Sequence, residues 1–189
     1  PRQDTETLVE LILNEHKEKN ISLLDVCTGS GCIAVSLAKL GGYADVTALD
    51  LSEEALKVAK SNGEKLLDHP VKFIKSDMFS ALDPEKQYDV IVSNPPYIPS
   101  QVIEGLEPEV KDHEPRMALD GEPDGLKFYR ILAEEGKKYL KNGGSIYMEI
   151  GWDQAKDVTK IFETMGFKGL RTVRDMTGND RVVCARKEK

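Results

Sequence analysis

Three cysteines, three histidines and a single tryptophan are all that this chain of 189 residues carries of those types. Cys27, Cys32 and Cys184 form an odd set without a C-x-x-C pair, and His16, His69 and His113 are scattered without metal-ligand spacing. The sequence therefore predicts neither a disulfide framework nor a structural metal, only reduced and mostly buried thiols. No apolar run is long enough to span a bilayer, no signal-peptide pattern opens the chain, and low-complexity tracts are absent. These absences point to a soluble, cytoplasmic protein with no membrane partner. Positive charge is scarce too: 26 Lys and Arg against 33 Asp and Glu leave a net charge of −7, so no global field draws nucleic acid.

The hydrophobic content of 40% suffices for one α/β domain over residues 1–189, burying about 70% of its unfolded surface. The chain opens on Pro1 without an initiator Met, and we expect it to be part of a longer protein. Residues 1–20 read as a lead-in whose Leu8, Val9, Leu11, Ile12 and Leu13 suit a short amphipathic helix.

Strand one is expected over Ile21–Val26, followed by the tight loop Cys27-Thr28-Gly29-Ser30-Gly31 and a helix from Cys32 to Leu40. Glycines there let backbone approach a ligand, and the helix start offers free N–H groups. Gly29, Gly31 and Ala34 satisfy G-x-G-x-x-A, a weak signal alone. It gains weight from Asp50, which ends strand two (Val46–Asp50) about 20 residues later, where a carboxylate accepts ribose hydroxyls in nucleotide-binding α/β folds. Asp50 could alternatively cap the next helix, but Ser52 already stands as its N-cap. Cys27 and Cys32 flank the loop without a histidine near them in sequence, and read as apolar fillers rather than nucleophiles. Strand three, Val71–Ile74, delivers Asp77, Met78 and Phe79 to the same edge; Asp77 could bond an adenine amino group, while Met78 or Phe79 either covers the ring or lies in the core.

Strand four, from Tyr88, runs into Asn94-Pro95-Pro96-Tyr97. The prolines force extended backbone and contribute carbonyls without N–H groups, Asn94 adds a side-chain oxygen, and Tyr97 offers a flat ring. Such an acceptor-only corner suits a planar NH2 group; its bland alternative is a turn after a strand. Residues 98–125, rich in acids and prolines and including Glu114-Pro115-Arg116, read as a lid or substrate loop, or else as a solvated face. A helix over Leu126–Leu140, a strand over Ser145–Ile150, a helix over Asp153–Met165 and a closing hairpin (Lys168–Val173, Arg181–Ala185) complete the chain, with Asn142-Gly143-Gly144 as a turn.

This order resembles the three-layer, Rossmann-like class I S-adenosylmethionine-dependent methyltransferase fold, with a seven-stranded, mostly parallel sheet and a C-terminal antiparallel hairpin. Asn-Pro-Pro-Tyr resembles the signature of its amino-group methylating members. Pro1-Arg2-x-Asp4-Thr5-Glu6, Asp25-Val26-Cys27-Thr28-Gly29-Ser30-Gly31, Ile91 to Ile98, Glu114-Pro115, Asp124-Gly125-Leu126, Glu149-Ile150-Gly151 and Asp175-x-x-Gly178-x-Asp180-Arg181 together resemble the HemK/PrmC family. The resemblance implies methylation of the glutamine side-chain nitrogen in the Gly-Gly-Gln motif of a peptide chain release factor. It implies S-adenosyl-L-methionine held by Cys27, Thr28, Gly29, Ser30, Gly31, Asp50, Leu51, Asp77, Met78 and Asn94, with Asn94, Pro95, Pro96 and Tyr97 catalytic, and no metal. Family members carry a small helical N-terminal domain, whereas this chain begins at the linker-like Pro-Arg segment; Cys27 stands where glycine is common, and Met78 where tryptophan is common. Three other readings remain. A nucleic-acid methyltransferase acting on adenine N6 or guanine N2 would use the same quartet on a flipped base. A dinucleotide oxidoreductase leaves Asn-Pro-Pro-Tyr unexplained, and a non-catalytic cofactor-binding module leaves Asn94 and Tyr97 without purpose.

Overall fold

Five buried residues in succession, Ser22–Val26, form β1 of a computed structural model that describes residues 3–97 and 124–189. A strand buried on both faces needs parallel neighbours covered by helices. β1 has them in β2 (Asp45–Asp50) and β4 (Tyr88–Ser93), while β3 (Lys72–Lys75) pairs parallel with β2. Beyond β4 lie β5 (Leu140–Glu149), then β7 (Asp180–Arg186), then β6 (Lys168–Arg174), in the order β3-β2-β1-β4-β5-β7-β6. β7 runs antiparallel to both β5 and β6. The expected closing hairpin is present, with β6 at the edge and β7 inside the sheet.

Helices cover both faces. Under one lie α1 (Gln3–Glu15) and α2 (Cys32–Gly41), packing Leu8, Ile12, Ile33 and Leu37 against Leu23, Val90, Val92 and Tyr147. Against the other face pack α4 (Lys127–Glu134), α5 (Gly136–Tyr139) and α6 (Ala155–Thr164), whose Tyr129, Leu132, Val158 and Phe162 meet Leu24, Val26, Ile91 and Met148. Between β2 and β3 runs α3 (Glu53–Leu66), capped by Ser52, whose Oγ accepts the Ala55 N–H at 3.1 Å. Acidic Glu53 and Glu54 in its first turn favour the same start.

The chain steps outward from β1 to β2 and β3, then crosses back to β4 on the other side of β1. That reversal opens a crevice between the carboxyl ends of β1 and β4, where open α/β sheets take their ligands.

Some expectations shift. The single helix over 126–140 is divided into α4 and α5, and β5 begins at Leu140 rather than Ser145. Tyr88 pairs with Leu140 and Val90 with Ser145, so the residues between them bulge out of register. Asn142-Gly143-Gly144 is this bulge, not a free turn. A Cβ at Gly144 would stand 2.9 Å from the Lys141 carbonyl oxygen, so only glycine fits. All three cysteines are free, but only Cys184 is buried; Cys27 and Cys32 are half-buried. Among the described residues no helix is long and apolar enough to cross a membrane. The reading of 98–125 as a substrate loop, Glu114-Pro115-Arg116 included, lies outside the described residues apart from Asp124 and Gly125.

Candidate functional site

The loop after β1 closes on itself and on β2: the Thr28 N–H donates to the Leu49 carbonyl at 2.8 Å and the Gly31 N–H to the Thr28 carbonyl at 3.0 Å. The two glycines do different work. A Cβ on Gly31, at φ 80°, would sit 2.8 Å from the Ala59 Cβ, so this glycine lets the loop close on α3. Gly29, at φ 58°, faces nothing within 4 Å and is the position where backbone is open to a ligand. Gly31, as the N-cap of α2, has no side chain to cap the helix start.

Asp50 braces the loop. Its Oδ2 accepts the Gly29 N–H at 2.8 Å and its Oδ1 the Ser52 N–H at 2.9 Å, which leaves lone pairs on both oxygens. Of the two readings of Asp50, these bonds show the local one: the carboxylate joins the glycine loop to the α3 start. Leu51 beside it is 46% exposed. Thr28 is buried and turns its hydroxyl inward to Asp25 Oδ2 at 2.7 Å, so its side chain braces the loop from within. Ser30 is exposed.

Asp25 is the residue that sequence reasoning left without a role. It is fully buried, its Oδ1 has no hydrogen-bond partner among the described residues, and burial, reinforced by the Asp50 charge and opposed by the Thr28 hydroxyl, raises its pKa to about 7. The signal available was an acid in an otherwise apolar strand, Leu23-Leu24-Asp25-Val26. Such an oxygen matches a positively charged group.

At the β3 exit, Ser76 donates its N–H to the Asp50 carbonyl at 2.9 Å and its hydroxyl to the Met78 carbonyl at 2.6 Å. Asp77 is exposed and Met78 buried at the foot of this turn. Phe79, weighed beside Met78 as a ring cover, is core: it is 2% exposed and stacks on Tyr139 with centroids 5.1 Å apart. Cys27 and Met78 bring their sulfurs to 3.6 Å. Burial first, and the Asp50 charge second, push the Cys27 thiol well above its ordinary range, so it stays protonated and is no nucleophile.

The two strands of the crevice are locked together where β4 ends: Ser93 Oγ donates to the Val26 carbonyl at 2.6 Å. Asn94 and Tyr97 follow half-buried and Pro95 and Pro96 buried. Tyr97 packs on the same apolar cluster that Cys27 touches.

Among the described residues, three of the segments named for the family resemblance, those holding Thr5, Glu149-Ile150 and Asp175–Arg181, meet at the end of β5. The Glu149 carboxylate accepts the Thr5 hydroxyl at 3.2 Å, its carbonyl accepts the Tyr129 hydroxyl at 2.6 Å, and Ile150 donates to the Arg181 carbonyl at 2.8 Å. Arg181 pairs with Asp175 at 3.2 Å, and the Thr177 hydroxyl above all holds the Asp175 carboxyl down to about 2.

A family model described as methyltransferase small domain matches residues 3–105. A release factor glutamine methyltransferase of Fusobacterium nucleatum is 45% identical over 99% of this chain, which spans 53% of that relative's length. Its counterpart in Thermodesulfovibrio yellowstonii is 42% identical, with 100% of this chain and 68% of the relative covered. The crystal structure of the release-factor-specific protein-(glutamine-N5) methyltransferase of Alicyclobacillus acidocaldarius superposes with a TM-score of 0.61 at 31% identity, covering 100% of this chain and 94% of that one.

Proposed function

The chain belongs to the release factor glutamine methyltransferases of the methyltransferase small-domain family, and on that premise we propose that it methylates N5 of the Gly-Gly-Gln glutamine in a peptide chain release factor, using S-adenosylmethionine. The observation that supports this is the Ser93–Val26 bond, which joins the end of β4, where Asn94–Tyr97 begins, to the end of β1, where the Gly29 loop begins. A cytoplasmic location accords with that substrate, and no nucleic-acid partner is required.

The residues present fit the cofactor. The open space over Gly29 lets a ligand approach the loop beside the α2 start, Asp50 suits ribose hydroxyls, and the Asp25 Oδ1 suits positive charge. Leu51, Asp77 and Met78 border the place for an adenine ring. When bound, S-adenosylmethionine supplies an electrophilic methyl carried on a positively charged sulfur.

An amide nitrogen is a poor nucleophile because its lone pair is delocalised into the carbonyl. The Asn94 side-chain oxygen and the Pro95 carbonyl accept its two N–H bonds, fixing the nitrogen and polarising it. The Tyr97 ring stacks on the amide plane. Positioning of this kind supplies up to ~7–11 kcal/mol of a barrier. The amide proton leaves to solvent after transfer, and no side chain is assigned as base.

The test is transfer of labelled methyl to purified unmethylated release factor, beside matched DNA and RNA, followed by mapping of the modified residue. We expect label on the Gly-Gly-Gln glutamine. Asn94→Ala should lower turnover by about a hundredfold while cofactor affinity by calorimetry stays within a few-fold. Label on nucleic acid alone overturns the proposal, and equal losses of turnover and affinity overturn the role given to Asn94.

A further inference from the structure

Three peptide groups from distant parts of the chain meet at one side chain. Gln154, 7% exposed at the lead-in to α6, donates from Nε2 to the Tyr97 carbonyl at 2.8 Å and to the Gly125 carbonyl at 3.3 Å. Its Oε1 accepts the Gly151 N–H at 2.8 Å. Both amide hydrogens and the amide oxygen are thus engaged, and each partner flanks a different element: the β4 exit, the approach to α4 and the β5 exit. Gln154 is itself anchored by backbone, since its N–H donates to the Gly151 carbonyl at 3.0 Å and its carbonyl accepts the Val158 N–H at 3.0 Å.

We propose that Gln154 is a positioning residue for the methyl transfer put forward above, on which this inference rests. By holding the Tyr97 peptide, its amide fixes the far end of the Asn94–Tyr97 corner. Ser93 pins the near end to β1 through its 2.6 Å bond to Val26. Between those anchors the prolines have no free φ, so the Asn94 oxygen, the Pro95 carbonyl and the Tyr97 ring keep one mutual geometry. A glutamine is suited to the task because it donates twice and accepts once from a single plane. An ionised glutamate of the same size has no hydrogen to donate, and would turn one oxygen toward the Tyr97 and Gly125 carbonyls.

Two variants test this in the chain as it stands. At about pH 8.5, both Q154L and Q154E should lose about a hundredfold in kcat for release-factor methylation, with S-adenosylmethionine affinity by calorimetry within about twofold of wild type. That calorimetry also reports whether each variant is folded. Either variant within about threefold of wild type, or a cofactor affinity that falls as far as kcat, overturns the proposal. If the wild-type protein methylates no release factor, the functional reading fails on that result, and Gln154 is decided separately by the 13C resonance of the Tyr97 carbonyl. A shift in Q154L supports the assignment, and an unmoved resonance overturns it.

Discussion

Cys27 holds a backbone conformation that cysteine disfavours. Its φ is 62°, that of Met78 is 50°, and the two face each other through sulfur. A left-handed conformation costs a residue with a Cβ about 1–2 kcal/mol that glycine escapes. The usual order, in which alanine outranks glycine for stability, should therefore reverse here: Cys27→Gly should be more stable than Cys27→Ala by about 1 kcal/mol in denaturant titrations. Alanine ranking above glycine would refute the strain. The family resemblance implied that Cys27 stands where glycine is common; the sequence could not show the dihedral that favours glycine there. Gln154 was harder still to anticipate. Its partners are main-chain groups 57, 29 and 3 residues away, and carbonyls leave no mark on residue type.

At the scale of elements, α1 is clasped to the sheet at both ends. Near its start Thr5 bonds Glu149, and at its finish the Glu15 carboxylate accepts from Tyr147 and from Arg171, each at 2.8 Å, while His16 meets the same Tyr147 hydroxyl at 2.8 Å. Arg171 and Tyr147 hold the Glu15 carboxyl below its ordinary range against the opposing effect of burial, so this contribution is present above the ordinary carboxylate range and is lost as pH falls through the lowered value. Tyr147→Phe removes the shared hydroxyl from a side chain that is 2% exposed, and should cost about 1–2 kcal/mol at neutral pH in chemical denaturation. A change below about 0.5 kcal/mol would mean the clasp contributes little to stability. The apolar spacing of Leu8, Val9 and Ile12 announced this helix, and the fully buried Leu8 and Ile12 bear that out. Its seat on β5 and β7 followed from strand pairing that no local pattern encodes. Likewise periodicity over 126–140 indicated one helix, whereas pairing of Leu140 with Tyr88 claimed the final residue for the sheet.

For the whole molecule, Asp25 makes stability depend on pH in an unusual direction. Its pKa is raised from the ordinary 3.8 to about 7, so between those values the folded protein holds a proton that the unfolded chain releases. The stability attached to that proton is fully present below about pH 4 and is lost as pH rises through about 7, a fall on the order of a few kcal/mol. Asp25→Asn should flatten this slope in denaturant midpoints taken across the window; an identical slope in the variant would remove Asp25 as its source. The succession of strands along the chain, and the delivery of the glycine loop and the Asn-Pro-Pro stop to strand ends, were legible because hydrophobic runs, glycines and that stop are local signals, whereas the order of strands across the sheet and an acid's depth are not.

The position of β7 carries a consequence for biosynthesis. It follows every other described strand in the chain, yet lies between β5 and β6 and pairs with both. As the polypeptide leaves the ribosome, β5 and then β6 emerge while the place between them is still vacant. The hydrophobic flank of β5 must wait for residues 180–186 before it is sheltered, so translation order and spatial order diverge at the step that completes the sheet.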